Sequence, residues 1–354
     1  MEAITNSLDA FNGHIYQWIL IPLLIGAGLY FTVRSRFLQF RLFGSMIKNV
    51  FNSRDAQKHE ISSFQAFAIG LASRVGTGNV VGVAIAITLG GPGAVFWMWV
   101  VALLGMATAF IEAALAQIFK VRWHDGTFRG GPAFYIWKGL RSWRWGAAFA
   151  IALIFTYGVV FEFVQANTIA DTLKTSYSIE PWISGLVIAL LTAVVVLGGI
   201  KSVARVTEYM VPFMALTYIV IALLIIGLNY DKIGFVFTEI FQSAFGLNEA
   251  YAGTAGGIIA AMMNGVKRGL YSNEAGMGSA PNAASTATTT HPARQGLIQS
   301  MGVFVDTIIV CSATAFIILV GGIYKPGQEL EGASLTTNSA VAVLGGWIEP
   351  ILIF

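Results

Sequence analysis

Charge is scarce in this chain. Of its 354 residues 11% are Asp, Glu, Lys or Arg, against 56% hydrophobic, and the mean hydropathy is +0.71. Soluble globular chains carry about a quarter charged residues, so there is little room for a soluble domain. A single cysteine, Cys311, excludes a disulfide framework, and its place in an apolar span marks it as a small buried hydrophobe. The four histidines, His14, His59, His124 and His291, are scattered, without the His, Cys or carboxylate spacing of a transition-metal site. No Lys or Arg precedes Ile15, where Glu2 and Asp9 stand, so the basic n-region of a cleaved signal is missing. Gly76-Thr-Gly-Asn-Val-Val-Gly82 has one residue too many for a dinucleotide loop and no strand before it. No nucleophile–base pair appears, and an enzyme is the weakest reading.

What the chain does have is uncharged runs long enough to cross a hydrocarbon core of ~30 Å. They predict an all-α, polytopic helical membrane protein with spans at 14–33, 61–89, 93–119, 146–170, 181–200, 208–229, 252–280 and 297–323, and a ninth beginning near Trp347. The loops 34–60 and 120–145 hold six Lys or Arg each, and Lys201, Arg205 and Arg294 join them on the same side. Lys174, Lys232 and Lys325 stand on the other, so fifteen basic residues face three. The positive-inside rule then puts the N-terminus outside a plasma membrane. Trp123 to Trp137 mixes aromatic and basic residues, which beside a bilayer reads as an interfacial anchor and not as a nucleic-acid site.

Two spans are interrupted. Ser73-Arg-Val-Gly-Thr-Gly-Asn79 lies inside the run from Ile61 to Leu89, where each glycine costs about 1 kcal/mol of helix stability. Unwinding in a bilayer also frees N–H and C=O groups, at several kcal/mol each if unsatisfied. The Gly78/Gly82 pair could instead be a packing face. A second glycine-broken stretch spans 252–280, with Gly253 to Gly257, Asn264 to Gly269 and Asn273 to Gly278. The first break, at Gly76 to Gly78, and the second, taken at Gly265 to Gly269, reach similar depth from opposite faces. Paired broken helices are the sequence pointer to a transporter's binding site. Thr77 and Gly78 would offer N–H groups to a substrate carboxylate, Asn79 a side-chain carbonyl to a cation, and Gln165 and Asn264 polar edges. Arg74, Glu112, Glu162 and Asp306 lie at similar depth within their spans and are expected to neutralise one another. Rival readings are a proton-coupled transporter using Glu162 or Asp306, and a channel.

Leu71-Ala-Ser-Arg-Val-Gly-Thr-Gly-Asn-Val-Val-Gly-Val83, Gly90-Gly-Pro-Gly-Ala-Val-Phe-Trp-Met-Trp99 and Gly265-Val-Lys-Arg-Gly-Leu-Tyr-Ser-Asn-Glu-Ala-Gly-Met-Gly-Ser-Ala-Pro281 resemble the alanine or glycine:cation symporter family, the sodium:alanine symporters. His291-Pro-Ala-Arg-Gln-Gly296 and Val305-Asp-Thr-Ile-Ile-Val-Cys311 extend the likeness. The resemblance implies a LeuT-like fold of the wider APC superfamily: one transporter domain over 1–354, with an extra helix at 14–33, a first five-helix repeat at 61–229 and an inverted second repeat from 252, incomplete at 354. It implies import of a small neutral amino acid, alanine or glycine, by alternating access, with sodium as the coupling ion and no other cofactor. It puts Thr77, Gly78 and Gln165 on the amino acid, with Asn264 or Asn273 contributing, and sodium on Asn79 and carbonyls such as that of Val75. The family continues past Phe354, so the chain is expected to be truncated.

Overall fold

A computed structural model describes residues 2–54, 60–247, 257–325 and 332–353. They are almost wholly helical, and six helical runs are long and apolar enough to cross a membrane: Phe11–Arg34, Ser63–Gly90, Gly93–Phe119, Trp143–Tyr177, Gly199–Leu228 and Pro292–Gly321. The chain is a polytopic helical membrane protein.

Helices α1 (Glu2–Ile15) and α2 (Ile21–Arg34) are joined by a π turn at Tyr16–Leu20. Two short helices follow, α3 (Leu38–Arg41) and α4 (Phe43–Phe51). Helix α5 (Ser63–Arg74) starts on a capping box, in which the Ser62 hydroxyl accepts from Gln65 N and the Gln65 side chain accepts from Ser62 N, both at 3.0 Å. Helix α6 (Thr77–Gly90) continues the same span after a two-residue gap.

Helix α7 (Gly93–Phe119) is the axis of the bundle, with α2 and α6 packed on it. Its buried positions Gly93, Ala94, Ala102, Gly105, Ala109, Ala113 and Ala116 are small, which lets neighbouring backbones approach closely. After it come a hairpin, β1 (Val121–Arg122) with β2 (Phe128–Arg129), and α8 (Pro132–Gly139). The Arg129 guanidinium lies 3.9 Å from the centre of the Trp123 ring, so the expected aromatic and basic anchor is folded as a cation–π hairpin.

The next span is longer than the expected 146–170. It comprises α9 (Trp143–Phe155), a π turn at Thr156–Phe161 and α10 (Glu162–Tyr177). Helix α11 (Pro181–Val196) ends early, and α12 (Gly199–Leu228) begins with the stretch read above as a basic loop. The reversal uses Gly199 at φ +72°, after which Lys201 and Arg205, good helix formers, occupy the first turns. Helix α13 (Ile233–Ala244) returns to α7, where Gly93 meets the Ser243–Ala244 backbone.

The second interruption lies elsewhere than expected. Helix α14 (Gly257–Asn273) runs unbroken through Asn264 to Gly269, and the chain unwinds only at 274–279 before α15 (Ala280–Thr286). Gly265 and Gly269 are packing glycines: a methyl on Gly265 would collide with the Ala94 carbonyl and lie 2.7 Å from Trp97 Cβ, and one on Gly269 would lie 3.2 Å from Met98 Cα. The residues with left-handed backbone are Glu274, Gly276 and Gly278, at φ 54°, 89° and 84°. Gly253 to Gly256 lie outside the described residues.

Helix α16 (Pro292–Val303), a π segment at Phe304–Cys311 and α17 (Ser312–Gly321) form the next span. The connection expected before Trp347 contains a further helix, α18 (Gly332–Leu344), packed on α6 and α17. Its row of small residues seats Gly321 against the Ser339 backbone, and its polar Thr and Ser content hid it from a search for apolar runs. The last described element is α19 (Glu349–Ile353).

The two kinds of glycine separate by experiment. Gly265→Ala should overpack the α7–α14 contact by about 1–3 kcal/mol and lower the melting temperature of the detergent-solubilised protein. Gly26→Ala, with nothing within 4 Å of the added methyl, should leave it unchanged.

Candidate binding site

The two interruptions meet. The Ser73 hydroxyl donates to both carboxylate oxygens of Glu274, at 2.9 and 2.8 Å, and Arg74 Nε donates to the Asn273 carbonyl at 2.9 Å. Five residues on, the Asn79 amide nitrogen lies 3.1 Å from the Ser272 hydroxyl. A methyl on Gly78 would touch the Tyr271 ring at 3.3 Å and Ser272 Cα at 3.4 Å. The backbones of α6 and α14 therefore cross at a position where even a methyl group would fit tightly.

Two of the backbone donors freed at the first break have side-chain partners. Asn79 Oδ1 accepts from Gly76 N at 2.9 Å, and Gln165 Oε1 accepts from Thr77 N at 3.2 Å. Gln165 reaches this point because the π turn at Thr156–Phe161 sets the register of α10; Phe161, one turn earlier on the same face, stacks on Tyr271 with centroids 5.0 Å apart. Tyr157 stacks in turn on Phe161 at 4.4 Å. Two buried hydroxyls here, Thr77 Oγ1 and Tyr271 OH, lie close to each other and bond to no other group among the described residues. Val75 caps α5, its N–H bonded to the Leu71 carbonyl at 2.8 Å, and is half-buried.

Beside the crossing lies a cluster of oxygen atoms. Asp306 is fully buried; its Oδ1 accepts from Asn79 Nδ2 at 2.7 Å, and its Oδ2 accepts from Ser272 Oγ at 2.8 Å and Thr307 Oγ1 at 2.7 Å. The π segment of α16–α17 turns the neighbouring residues Asp306 and Thr307 both inward. The Cys311 thiol completes the contact, 3.2 Å from Asn79 Nδ2 and from Ser272 Oγ.

Arg74 is 2% exposed, and Gly302 makes its berth, since a methyl there would collide with Nη1. Its hydrogen bonds go to the Asn273 carbonyl and, at 3.3 Å, to Gln299 Oε1, not to a carboxylate. Glu274, Asp306 and Glu112 act on it through space. Glu112 Oε2 accepts from Gly276 N at 2.9 Å, so it holds the second break from α7, and Ser279 closes on Glu274.

Several expectations are corrected here. Glu162 is exposed, one residue past Phe161 and therefore turned away from the face that carries Phe161 and Gln165; it takes no part in the charge cluster. Glu274 stands there instead, because the second break lies about two and a half turns beyond the expected 265–269. Asn264 bonds to the carbonyl of Ala260 on its own helix at 3.0 Å and packs against Gly90. It lies thirteen residues from Thr77 along α6, roughly 20 Å at the helical rise. Asn273 does reach the crossing, where its Oδ1 accepts from Ala275 N at 3.0 Å and shapes the second break. Tyr271, Phe161, Ser272 and Thr307 had no distinguishing signal, each being an ordinary aromatic or hydroxyl in an apolar span.

The short helix α15 and the residues after it are tied to α5 and α7, a closure we call the Lys120 seal. Gln117 Nε2 donates to the carbonyls of Ala284 and Ala287 at 2.5 and 3.1 Å, and Lys120 Nζ donates to Ala287 O at 2.7 Å. Ile61 pairs with Ala287 in a parallel bridge, with Thr288 N donating to Ile61 O at 2.9 Å. Burial pushes the Lys120 ammonium down to about 8, with Glu60 opposing.

Compared with known proteins, all of residues 1–354 match the model of the sodium:alanine symporter family. The amino-acid carrier protein AlsT of Bacillus subtilis (strain 168) is 48% identical over 349 residues, 98% of this chain and 73% of the relative. The sodium/alanine symporter AgcS of Methanococcus maripaludis is 41% identical over 355 residues, 97% of this chain and 78% of the relative. The probable sodium/glutamine symporter GlnT of Bacillus subtilis is 45% identical over 344 residues, 96% and 70%.

Two outcomes follow from this geometry. Arg74→Met leaves Glu274 and Asp306 without their cation and should cost about 3 kcal/mol or more, read as a lowered melting temperature or loss of monodisperse protein. Adding Glu274→Gln should recover part of it, and an Arg74→Met protein as stable as wild type would remove Arg74 from the framework. The Lys120 seal should respond to pH in a defined sense. Its amine is depressed when sealed and returns toward the ordinary 10.5 when water reaches it, so sealing releases protons and is favoured as pH rises from about 8 toward 10.5. Spin-label distances across the seal should shorten on average over that window, stay flat below it, and show no pH effect in Lys120→Met.

Proposed function

The chain belongs to the sodium:alanine symporter family and is a transporter, not an enzyme; on that premise we propose that the crossing of its two helix breaks binds a small neutral amino acid and Na⁺ together. The observation that carries this reading is the position of Asn79. Its carbonyl holds the Gly76 N–H at the start of α6, and its amide holds Asp306. One side chain thus touches both the donor end of a half-helix, which suits a substrate carboxylate, and a hard oxygen cluster, which suits Na⁺.

The amino-acid carboxylate takes the place of the Gln165 oxygen on the Thr77 N–H and meets the Thr77 hydroxyl beside Tyr271, with Gly78 leaving room for the approach. Gln165 then turns its amide to the bound molecule, and the Tyr271–Phe161 stack walls the site. Na⁺ is coordinated by Asp306, Ser272 and Thr307, joined by the Asn79 oxygen once that amide turns its Oδ1 in place of Nδ2 toward Asp306, with first-break carbonyls such as that of Val75 completing the shell. Ordering of this segment by the ion raises affinity for the amino acid, and the amino acid raises affinity for the ion by the same factor. Inward movement of Na⁺ contributes about 2.3 kcal/mol per charge per 100 mV. We infer import across the plasma membrane with the N-terminus outside, from the distribution of basic residues, and two inverted repeats beginning at the two broken helices, at 61–229 and from 252 onward.

Alanine and glycine are the substrates this reading favours; among the relatives, one is named for alanine and another for glutamine. Proton coupling is the second reading, favoured by three carboxylates around a single guanidinium; a further relative is named as a putative sodium/proton-dependent alanine carrier.

The test is uptake of labelled alanine by the full-length protein in liposomes. A sodium gradient at constant pH should drive accumulation, with unlabelled glycine competing. Uptake indifferent to sodium would overturn the assignment, and uptake driven by a pH gradient alone would favour the proton reading. Asp306→Asn should weaken apparent sodium affinity by about tenfold or more, while Gln165→Ala should raise the alanine KM with a smaller effect on sodium.

A further inference from the structure

At the arginine-rich end of α2 the chain makes a tight reversal that no part of the proposed transport cycle uses. Helix α2 ends at Arg34, and Arg36 and Phe37 both take left-handed backbone, at φ 57° and 55°. Two consecutive non-glycine residues in that region are uncommon and persist only where their surroundings hold them. Here Phe37 N bonds to the Thr32 carbonyl at 2.8 Å and Arg36 N to that of Val33 at 3.0 Å. The buried Leu38 and Gln39 anchor the returning chain, Gln39 Nε2 donating to Thr32 Oγ1 at 3.1 Å.

The reversal brings Arg34, Arg36 and Arg41 around one cavity of about 390 Å³, with Ser35, Leu42 and Phe110 among its walls. No Asp or Glu is among the residues that line it. Arg41 Nη2 bonds to the Ser35 carbonyl at 3.2 Å, while Arg34 and Arg36 make no side-chain hydrogen bond or ion pair among the described residues. Three guanidinium groups around a concave space form a site for a multidentate oxyanion, and phosphate is the one they fit best. Beside the cavity stand exposed Phe37 and Phe40, and along α2 exposed Leu29, Tyr30 and Val33. A headgroup in the cavity would lay its acyl chains on that apolar face.

We propose that this cavity binds the headgroup phosphate of an anionic phospholipid and so fastens α2 to the membrane boundary. A zwitterionic lipid brings its own cation into the arginine cluster and is disfavoured. Inorganic phosphate shares the anion chemistry but gains nothing from the apolar face.

The experiment is native mass spectrometry of the purified full-length protein after delipidation, with phosphatidylglycerol, phosphatidylcholine or inorganic phosphate added. Phosphatidylglycerol should be retained and phosphatidylcholine not, and millimolar inorganic phosphate should fail to displace the former. Three arginines at about fivefold each predict a loss of about a hundredfold in the triple variant Arg34→Gln, Arg36→Gln, Arg41→Gln. Because that variant also lowers the charge that orients the chain, Ser35→Trp is the second test. It places an indole in the cavity between the guanidinium groups, keeps every arginine, and should weaken retention of the same lipid. Equal retention of the two lipids, displacement by inorganic phosphate, or wild-type retention in Ser35→Trp would each overturn the proposal.

Discussion

A backbone that leaves the helix inside a bilayer must find new partners for every N–H and C=O group it frees. The polar side chains at the crossing are largely assigned to that task. Asn79 serves Gly76, Gln165 serves Thr77, Glu112 serves Gly276, Asn273 serves Ala275, and Arg74 serves the Asn273 carbonyl. Each break is held partly by residues of another helix, so neither could form alone. The small residues of α7 and the packing glycines of α14 bring those helices close enough for the exchange.

The charges obey the same constraint. One guanidinium sits among three carboxylates, and if all three are ionised the cluster carries two negative charges in excess. Nearby hydroxyl and amide donors reduce the cost of burying Asp306 and Glu274 without removing their charge. Such a cluster is better balanced with a cation bound than without one. Arg74 supplies the fixed part of the balance, and the ion site proposed above would supply a part that comes and goes.

Most of the spans were legible in the sequence because bilayer thickness imposes a long apolar run, and the first break because glycine and asparagine interrupt one. The second break was legible only as a region. Glycine performs two tasks in a membrane helix, close packing and left-handed backbone, and composition does not separate them. Gly265 and Gly269 perform the first, Gly276 and Gly278 the second. The observed break lies about two and a half turns beyond the expected one, which puts Glu274 at the crossing and leaves Asn264 far from it. Glu162 was misread for a different reason: depth along a helix says nothing about the direction a side chain faces. Helix α18 is neither long nor strongly apolar, so hydropathy does not mark it.

The π turn at Thr156–Phe161 has a consequence for movement. A π turn holds one residue more than an α turn, and relaxing it to α geometry would rotate everything after it by about 100°. Gln165 lies one turn beyond that point. The whole distal half of the span would then act as a dial, carrying the amide off the Thr77 N–H while the proximal half stayed seated. Substrate access here could be set by twist within one helix, with no tilting of rigid bodies.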